Sequence, residues 1–228
     1  MPKFSIIIPT YNEANNLPLL LSDLSIIHEE GEILIIDCGS EDKTVDIGYI
    51  YGAKIFKSIE KNRGLQFNIG AKNAQGDWFI FLHADSRLNK DWFNTTKENL
   101  VDDESFIYAF KFKVNNKKII YRLLEFLVNL RSFFFRTPYG DQGLIVNKKT
   151  YSEKNGFSDI PLMEDLDFLK RLNSKVNLKL INLPIYTSSR KWEKTNIFLQ
   201  ALKNWKLRRR WSKGESINSI YGDYYKNN

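Results

Sequence analysis

Three apolar runs in the first half of the chain end on residues that can hold a cation or orient a polar ligand. Residues 78–82 give way to His83, Ala84 and Asp85. Residues 32–36 stop at Asp37, and residues 4–8 stop at Pro9 and Thr10, with Glu13 close behind. An acid after one strand is often only a turn or helix cap. Acids after several strands suggest a site, because ligands of an open parallel sheet bind beyond the carboxyl ends of its strands. The first strand–helix turn, PTYNEAN, has no G-x-G-x-x-G, and no G-x-x-x-x-G-K-[ST] occurs anywhere. Without a glycine cradle, a bound diphosphate needs another counter-charge. Mg²⁺ or Mn²⁺ on one or two carboxylates supplies it.

A second set of acids lies in LMEDLDF (residues 162–168), which offers Glu164, Asp165 and Asp167. Adjacent acids raise one another's pKa, which suits a general base; an acidic helix start favoured by the macrodipole is the plainer reading. In TPYGDQGLIV (residues 137–146), Asp141 and Gln142 sit between Gly140 and Gly143, a tight turn able to approach a ligand. Arg190 could pair bidentately with a diphosphate, with Trp192 beside it; a surface arginine next to a structural tryptophan is the alternative.

The elements that must position these groups follow from periodicity. Continuous apolar runs at 4–8, 32–37, 53–58 and 77–85 read as buried strands. They alternate with helical patterns at 12–27, 38–52 and 63–76, with Asn12 as the expected cap of the first. This β-α order predicts an α/β fold, a mostly parallel central sheet flanked by helices. The second half is less regular: a strand at 106–114 at or near the sheet edge, a helix at 117–136, a strand and turn at 143–151, a helix at 163–173, and a strand pair or bent strand at 178–187 around Pro184. A single domain over 1–228 is expected, with a first half at 1–100, a second at 101–192 and a basic amphipathic helical extension at 193–228.

Composition narrows the class. The chain has 228 residues, a net charge of +7 and 43% hydrophobic residues. A positive balance favours an anionic partner. The single cysteine, Cys38, excludes an internal disulfide and a cysteine-based zinc site. The first apolar run is too short for a signal sequence, and no run is long enough to span a bilayer. A cytoplasmic location is expected, with attachment to the inner membrane face as a further reading.

Four segments in order, IIIPTYNEANNLPLLL, IIDCGSEDKT, NRGLQFNIGAKNAQGDWFIFLHADS and PLMEDLDF, resemble family 2 glycosyltransferases of the GT-A fold over residues 4 to about 192. The resemblance implies an inverting, metal-dependent transferase that uses a UDP- or GDP-linked sugar. It implies that Pro9, Thr10, Glu13, Asp37, Arg63 and Ala84 line the nucleotide. Asp85 would be the metal ligand, with His83 beside it on metal or phosphate. Asp165 would be the base, with Glu164 adjacent. Asp141, Gln142, Arg190 and Trp192 would face sugar or acceptor. The chain departs from the family pattern at His83, where the first acid of D-x-D stands, and at Cys38, where D-D-G-S has its second acid.

Two helices are ambiguous. In residues 118–136, Lys118, Arg122, Glu125, Asn129, Ser132 and Arg136 form a narrow polar stripe on an otherwise apolar surface, with Arg131 off the stripe. Such a helix is deeply buried or lies in a membrane interface. KNWKLRRRW (residues 203–211) interleaves cations with Trp205 and Trp211, which suits an anionic lipid surface, single-stranded nucleic acid, or a helix packed on the core. The membrane surface, and with it a lipid-linked acceptor, is favoured over nucleic acid. The competing readings are a basic lipid- or nucleic-acid-binding module and a catalytically lapsed relative. A sugar nucleotidyltransferase is also weighed, but that class wants a basic glycine-rich loop after the first strand.

Overall fold

In the computed structural model, residues 3–27, 29–101, 103, 105–172, 176–188 and 197–225 are described. Seven strands form one sheet: β1 (Phe4–Thr10), β2 (Gly31–Asp37), β3 (Lys54–Lys57), β4 (Trp78–Phe81), β5 (Phe106–Val114), β6 (Leu144–Asn147) and β7 (Asn177–Thr187). Their order is β3-β2-β1-β4-β6-β5-β7. All neighbours run parallel except β6, which is antiparallel to both β4 and β5. The helices are α1 (Leu17–Leu24), α2 (Thr44–Ile50), α3 (Arg63–Asn73), α4 (Trp92–Asn99), α5 (Ile119–Phe135), α6 (Lys148–Glu153), α7 (Glu164–Arg171), α8 (Ile197–Ser212) and α9 (Ile217–Tyr225).

Side chains alternate across the strands and divide the core into two layers. Phe4, Ile6 and Ile8 of β1, with Trp78 and Ile80 of β4, pack against the leucines of α1 and against Trp92 and Phe93 of α4. Ile7, Phe79 and Phe81 face the other way, onto Phe67 of α3, Phe157 and Phe168 of α7. Continuous apolar strands are what a sheet covered on both faces requires.

The expected helix start at Asn12 is corrected. Asn12 has φ of 54° and belongs to a turn, its side chain accepting from the Glu41 amide. The helix begins at Leu17, which places Pro18 in the first turn, where a missing N–H leaves no bond unmade.

Between Ile181 and Pro184 the expected bend in β7 is present as a register shift opposite Phe110 and Lys111. The other side of β5 is unusual. It pairs with β6 only at Tyr108 and Ala109. Beyond that, its free edge is closed by side chains. Gln142 Nε2 donates to the Phe110 carbonyl (3.1 Å). Asn129 accepts from Phe112 N (2.8 Å) and donates to Phe112 O (3.0 Å). Glu125 Oε1 accepts from Val114 N (2.8 Å), and Arg122 donates to Val114 O (3.2 Å). The polar stripe of α5 therefore stands in for a missing strand, because buried backbone groups must find partners. Its apolar faces turn outward: Ile119, Phe126, Phe133, Phe134 and Phe135 are all more than 60% exposed. The helix is thus partly buried, polar side inward.

Candidate active site

The reversal at β6 brings three approaches to one end of the sheet. The chain leaves β4 through Leu82, whose amide donates to Ile7 O (3.1 Å), into the turn closed by Ser86 N and His83 O (3.0 Å). It enters β6 through the 3-10 turn at Gly140–Gln142. The antiparallel register sets Phe81 opposite Leu144, so this entrance lies beside the β4 exit. The third approach is α7. Met163 at φ 67° bends the chain so that Glu164 and Asp165 open the helix.

These groups interlock. Asp165 Oδ2 accepts from Gly140 N (2.8 Å), and Oδ1 accepts from Leu166 N (2.7 Å), so both carboxylate oxygens are oriented by backbone donors. A side chain on Gly140 would sit 2.8 Å from His83 Nε2, which explains the glycine. Arg63, at the start of α3, places Nη1 3.4 Å from His83 Nε2 and Nε 3.4 Å from Glu164 Oε1. Glu164 is only 3% exposed. Burial, reinforced by Asp165, holds its carboxyl above the usual carboxylate range, while Arg63 opposes the rise. At Glu164 burial is the first cause of the rise, and the adjacent acid adds to it.

A cavity of about 610 Å³ is lined by Arg63, His83, Asp85, Asp141, Glu164 and Asp165, among others. Other expected residues lie elsewhere. Thr10 and Asp37 form a second cluster at the ends of β1 and β2. Thr10 Oγ1 donates to Asp37 Oδ1 (2.8 Å), and Ser40 donates to both Asp37 oxygens through its amide (2.8 Å) and hydroxyl (2.6 Å). Pro9 and Glu13 flank this cluster, half-buried, and Ala84 is buried. Gln66, one turn along α3 from Arg63, donates to the carbonyls of Ile36 (2.7 Å) and Thr10 (3.2 Å) and ties the two clusters together. Burial beside Asp37 pushes the Cys38 thiol up, so it stays neutral.

Asp167 turns away, taking Nε of Arg171 at 2.8 Å. Gln142 is fully buried and does not line the cavity: its oxygen accepts from Ser132 Oγ (2.6 Å) and its nitrogen holds Phe110 O. Its oxygen also accepts from Tyr139 N (3.3 Å), so it holds the turn from within. Arg190 and Trp192 lie outside the described residues.

Three cavity residues were not anticipated as a group: Arg131 of α5, Tyr139, and Arg208 of α8. Both guanidinium carbons lie over the Tyr139 ring, at 3.4 and 4.7 Å from its centre. The available signal was that Arg131 alone breaks the polar stripe of α5. Trp211, not Trp205, packs inward, with Leu207 and Ile220 against Leu162 and Met163. Trp205 is 48% exposed at the cavity mouth.

Among the described residues no three His, Cys, Asp or Glu side chains converge as a cage for a metal. One carboxylate beside an imidazole, facing an open cavity, instead fits a cation whose remaining positions are filled by ligand oxygens.

Residues 5–153 match the family model described as glycosyl transferase family 2, and the chain belongs to that family. The seven-stranded, mostly parallel sheet flanked by helices matches the GT-A fold of its structural neighbours. The structure resembles residues 1–349 of TarS from S. aureus with UDP-GlcNAc, at TM-score 0.64 and 22% identity, covering 82% of this chain and 59% of that one. It also resembles glucosyl-3-phosphoglycerate synthase from Mycobacterium tuberculosis with Mn²⁺, UDP and glucosyl-3-phosphoglycerate, at TM-score 0.63 and 15% identity, covering 85% and 74%. In sequence it is 26% identical to 4,4'-diaponeurosporenoate glycosyltransferase of Staphylococcus haemolyticus over 72% of this chain and 45% of that protein. The chain spans less than half the length of the curated relatives it matches. Among the described residues no helix is long and apolar enough to cross a membrane.

Proposed function

We propose that this chain is a glycosyltransferase that moves a sugar from a nucleoside-diphosphate donor to an acceptor hydroxyl with inversion at the anomeric carbon. The observation that carries the reading is a single cavity in which Arg63, His83 and Asp85 face Asp165. In this reading the nucleoside lies toward Thr10, Glu13 and Asp37, and the diphosphate toward Arg63. Asp85, with His83 beside it, would hold Mg²⁺ or Mn²⁺, which supplies positive charge to the leaving diphosphate. A structure of similar fold described with Mn²⁺ and UDP supports a divalent cation in this role.

The chemistry then falls to Asp165. The acceptor oxygen attacks the anomeric carbon, the bond to the β-phosphate oxygen breaks, and its electron pair leaves with the nucleoside diphosphate. The acceptor proton passes to a carboxylate oxygen of Asp165, which two backbone amides have already aimed. Glu164 keeps Arg63 turned toward the diphosphate, and Asp141 takes sugar or acceptor hydroxyls. Residues 1–100 thus serve the donor and 101–192 the acceptor. The basic extension closes the cavity.

The exposed phenylalanines of α5 beside the exposed Arg136 support seating on an anionic membrane surface. Co-sedimentation with anionic vesicles at low salt, lost in Phe133→Ser with Phe134→Ser, is the expected result. A neutral-vesicle control with equal binding would remove the electrostatic part of this reading.

Donor and base are tested together by thermal shift with UDP, GDP and their sugars, with and without Mn²⁺, followed by turnover. A ligand at a hundred times its dissociation constant adds about 2.7 kcal/mol of stability. The shift should require Mn²⁺ and vanish in Asp85→Asn. Asp165→Asn should keep the shift but lose roughly 10²–10⁴-fold in turnover. An unchanged rate in Asp165→Asn would sink the assignment of the base.

A further inference from the structure

The arginine pair is not explained by the transfer chemistry. Arg131 and Arg208 come from α5 and α8 and meet over the two approaches to Tyr139, at 3.4 and 4.7 Å from the ring centre. Two like charges are brought together and partly withdrawn from water, an arrangement that costs free energy unless an anion completes it. Arg131 Nε has no hydrogen-bond partner, although it is buried. Burial pushes both guanidinium groups down to about 10, and for Arg208 the charge of Arg131 adds to the effect. Both nevertheless remain cationic at neutral pH. Asp141 and Asp165 draw on Arg131, whereas the charged neighbour that acts on Arg208 is Arg131 itself.

The pair also has a fixed place in the cavity. Asp165 lines the same cavity. In the two turns before Arg131 on α5 the lining residues are Leu124, Leu127 and Val128, and in the two turns before Arg208 on α8 they include Ala201 and Trp205. This lining opens to the surface at Leu127 and Trp205, which are 50% and 48% exposed. Along both helices the lining therefore passes from guanidinium to hydrocarbon, and Asp165 lies near enough to Arg131 to act on its charge.

We infer that the acceptor is an anionic amphiphile: a hydroxyl-bearing head at Asp165, a phosphate held between Arg131 and Arg208, and a hydrocarbon chain lying between α5 and α8. Guanidinium forks match phosphate oxygens geometrically, and a chain in the groove removes Leu127 and Trp205 from water. The inference rests on the transferase reading for the role of Asp165, but its ligand class follows from the arginines and the groove.

The test is isothermal titration of the full chain with dodecyl phosphate below its micelle-forming concentration. Butyl phosphate, which lacks the chain, and dodecyl maltoside, which lacks the charge, are the comparisons. One dodecyl phosphate should bind per chain, about tenfold or more tighter than either control. Arg208→Gln and, separately, Leu127→Asp should each weaken it about tenfold with an unchanged melting profile, while leaving UDP with Mn²⁺ unaffected. Equal binding of dodecyl phosphate and dodecyl maltoside overturns the inference, as does undiminished binding in Arg208→Gln. If Arg208→Gln weakens UDP instead, the pair belongs to the donor phosphate and the inference fails. UDP binding without dodecyl phosphate binding leaves the transferase reading intact and removes only the acceptor class. Dodecyl phosphate binding without any nucleotide binding upholds the ligand class and removes the transferase reading.

Discussion

Helices α1 and α5 are both amphipathic, and they lie in the protein with opposite faces inward. Helix α1 buries Leu17, Leu20, Leu21 and Leu24 against the sheet. Helix α5 turns Arg122, Glu125, Asn129 and Ser132 toward the protein and leaves most of its leucines and phenylalanines at the surface. The difference lies in what each helix meets. Helix α1 meets a sheet face, where the unmet need is apolar contact. Helix α5 meets a strand edge, where the unmet need is hydrogen bonds. Amphipathicity thus specifies that a helix has two sides, and the neighbouring surface decides which side is interior.

The contrast can be broken by substitution. Leu20→Ala in α1 should cost about 2–5 kcal/mol in urea denaturation, as expected where a buried side chain leaves a cavity. Asn129→Leu in α5 makes the helix more apolar, yet it should destabilise by about 1–3 kcal/mol, because Phe112 N and O both lose their partner. A stabilising Asn129→Leu would show that the strand edge does not depend on the helix.

Buried acids sharpen the comparison. Glu125 pairs with Arg122 at 2.9 Å and accepts a hydrogen bond from the Val114 amide. Glu164 has a looser partner at 3.4 Å, and burial holds its pKa above the ordinary value of 4.5. An acid raised in the folded state binds its proton more tightly there than in the unfolded chain. Its contribution to stability is therefore greatest at low pH and declines as pH rises from the ordinary value through the raised one. Relative to the parent, Glu164→Gln should gain stability across that window, whereas a parallel pH series that shows no relative gain would mean the Arg63 pair dominates. The smallest effect is expected at the surface: Phe126→Ser should stay within about 0.5 kcal/mol, since Phe126 is 61% exposed.

Much of the first half was legible because one physical rule governs it. Runs such as Ile6–Ile8 and Leu34–Ile36 are buried on both faces and need no partner knowledge to be recognised as strands. Asp37, His83 and Asp85 follow from the ends of those runs. The second half depends on partners far away in sequence. Helix α4 carries Thr95 and Thr96 and little apolar periodicity, yet Trp92 and Phe93 anchor it. In α6, Asn147 accepts from Lys149 N and converts an apparent turn into a helix. The burial of Gln142 could not be read from a polar loop sequence, because its partners are Ser132 and a strand carbonyl that no β6 residue reaches.

The segment that follows α6 has a consequence for how the molecule folds. Helix α3 and the residue before it are tied to distant parts of the chain: Asn62 reaches Asp159 across 97 residues, and Asn68 reaches Phe157 across 89. Contacts of that span carry a large loop-closure cost before they return any stability, so they form late. The β1–β2 layer, closed over much shorter spans, assembles first and waits. A refolding chain should therefore recover its sheet signal well before its nucleotide-dependent thermal shift, and the interval between the two measures the time taken to dock residues 157–159 on α3.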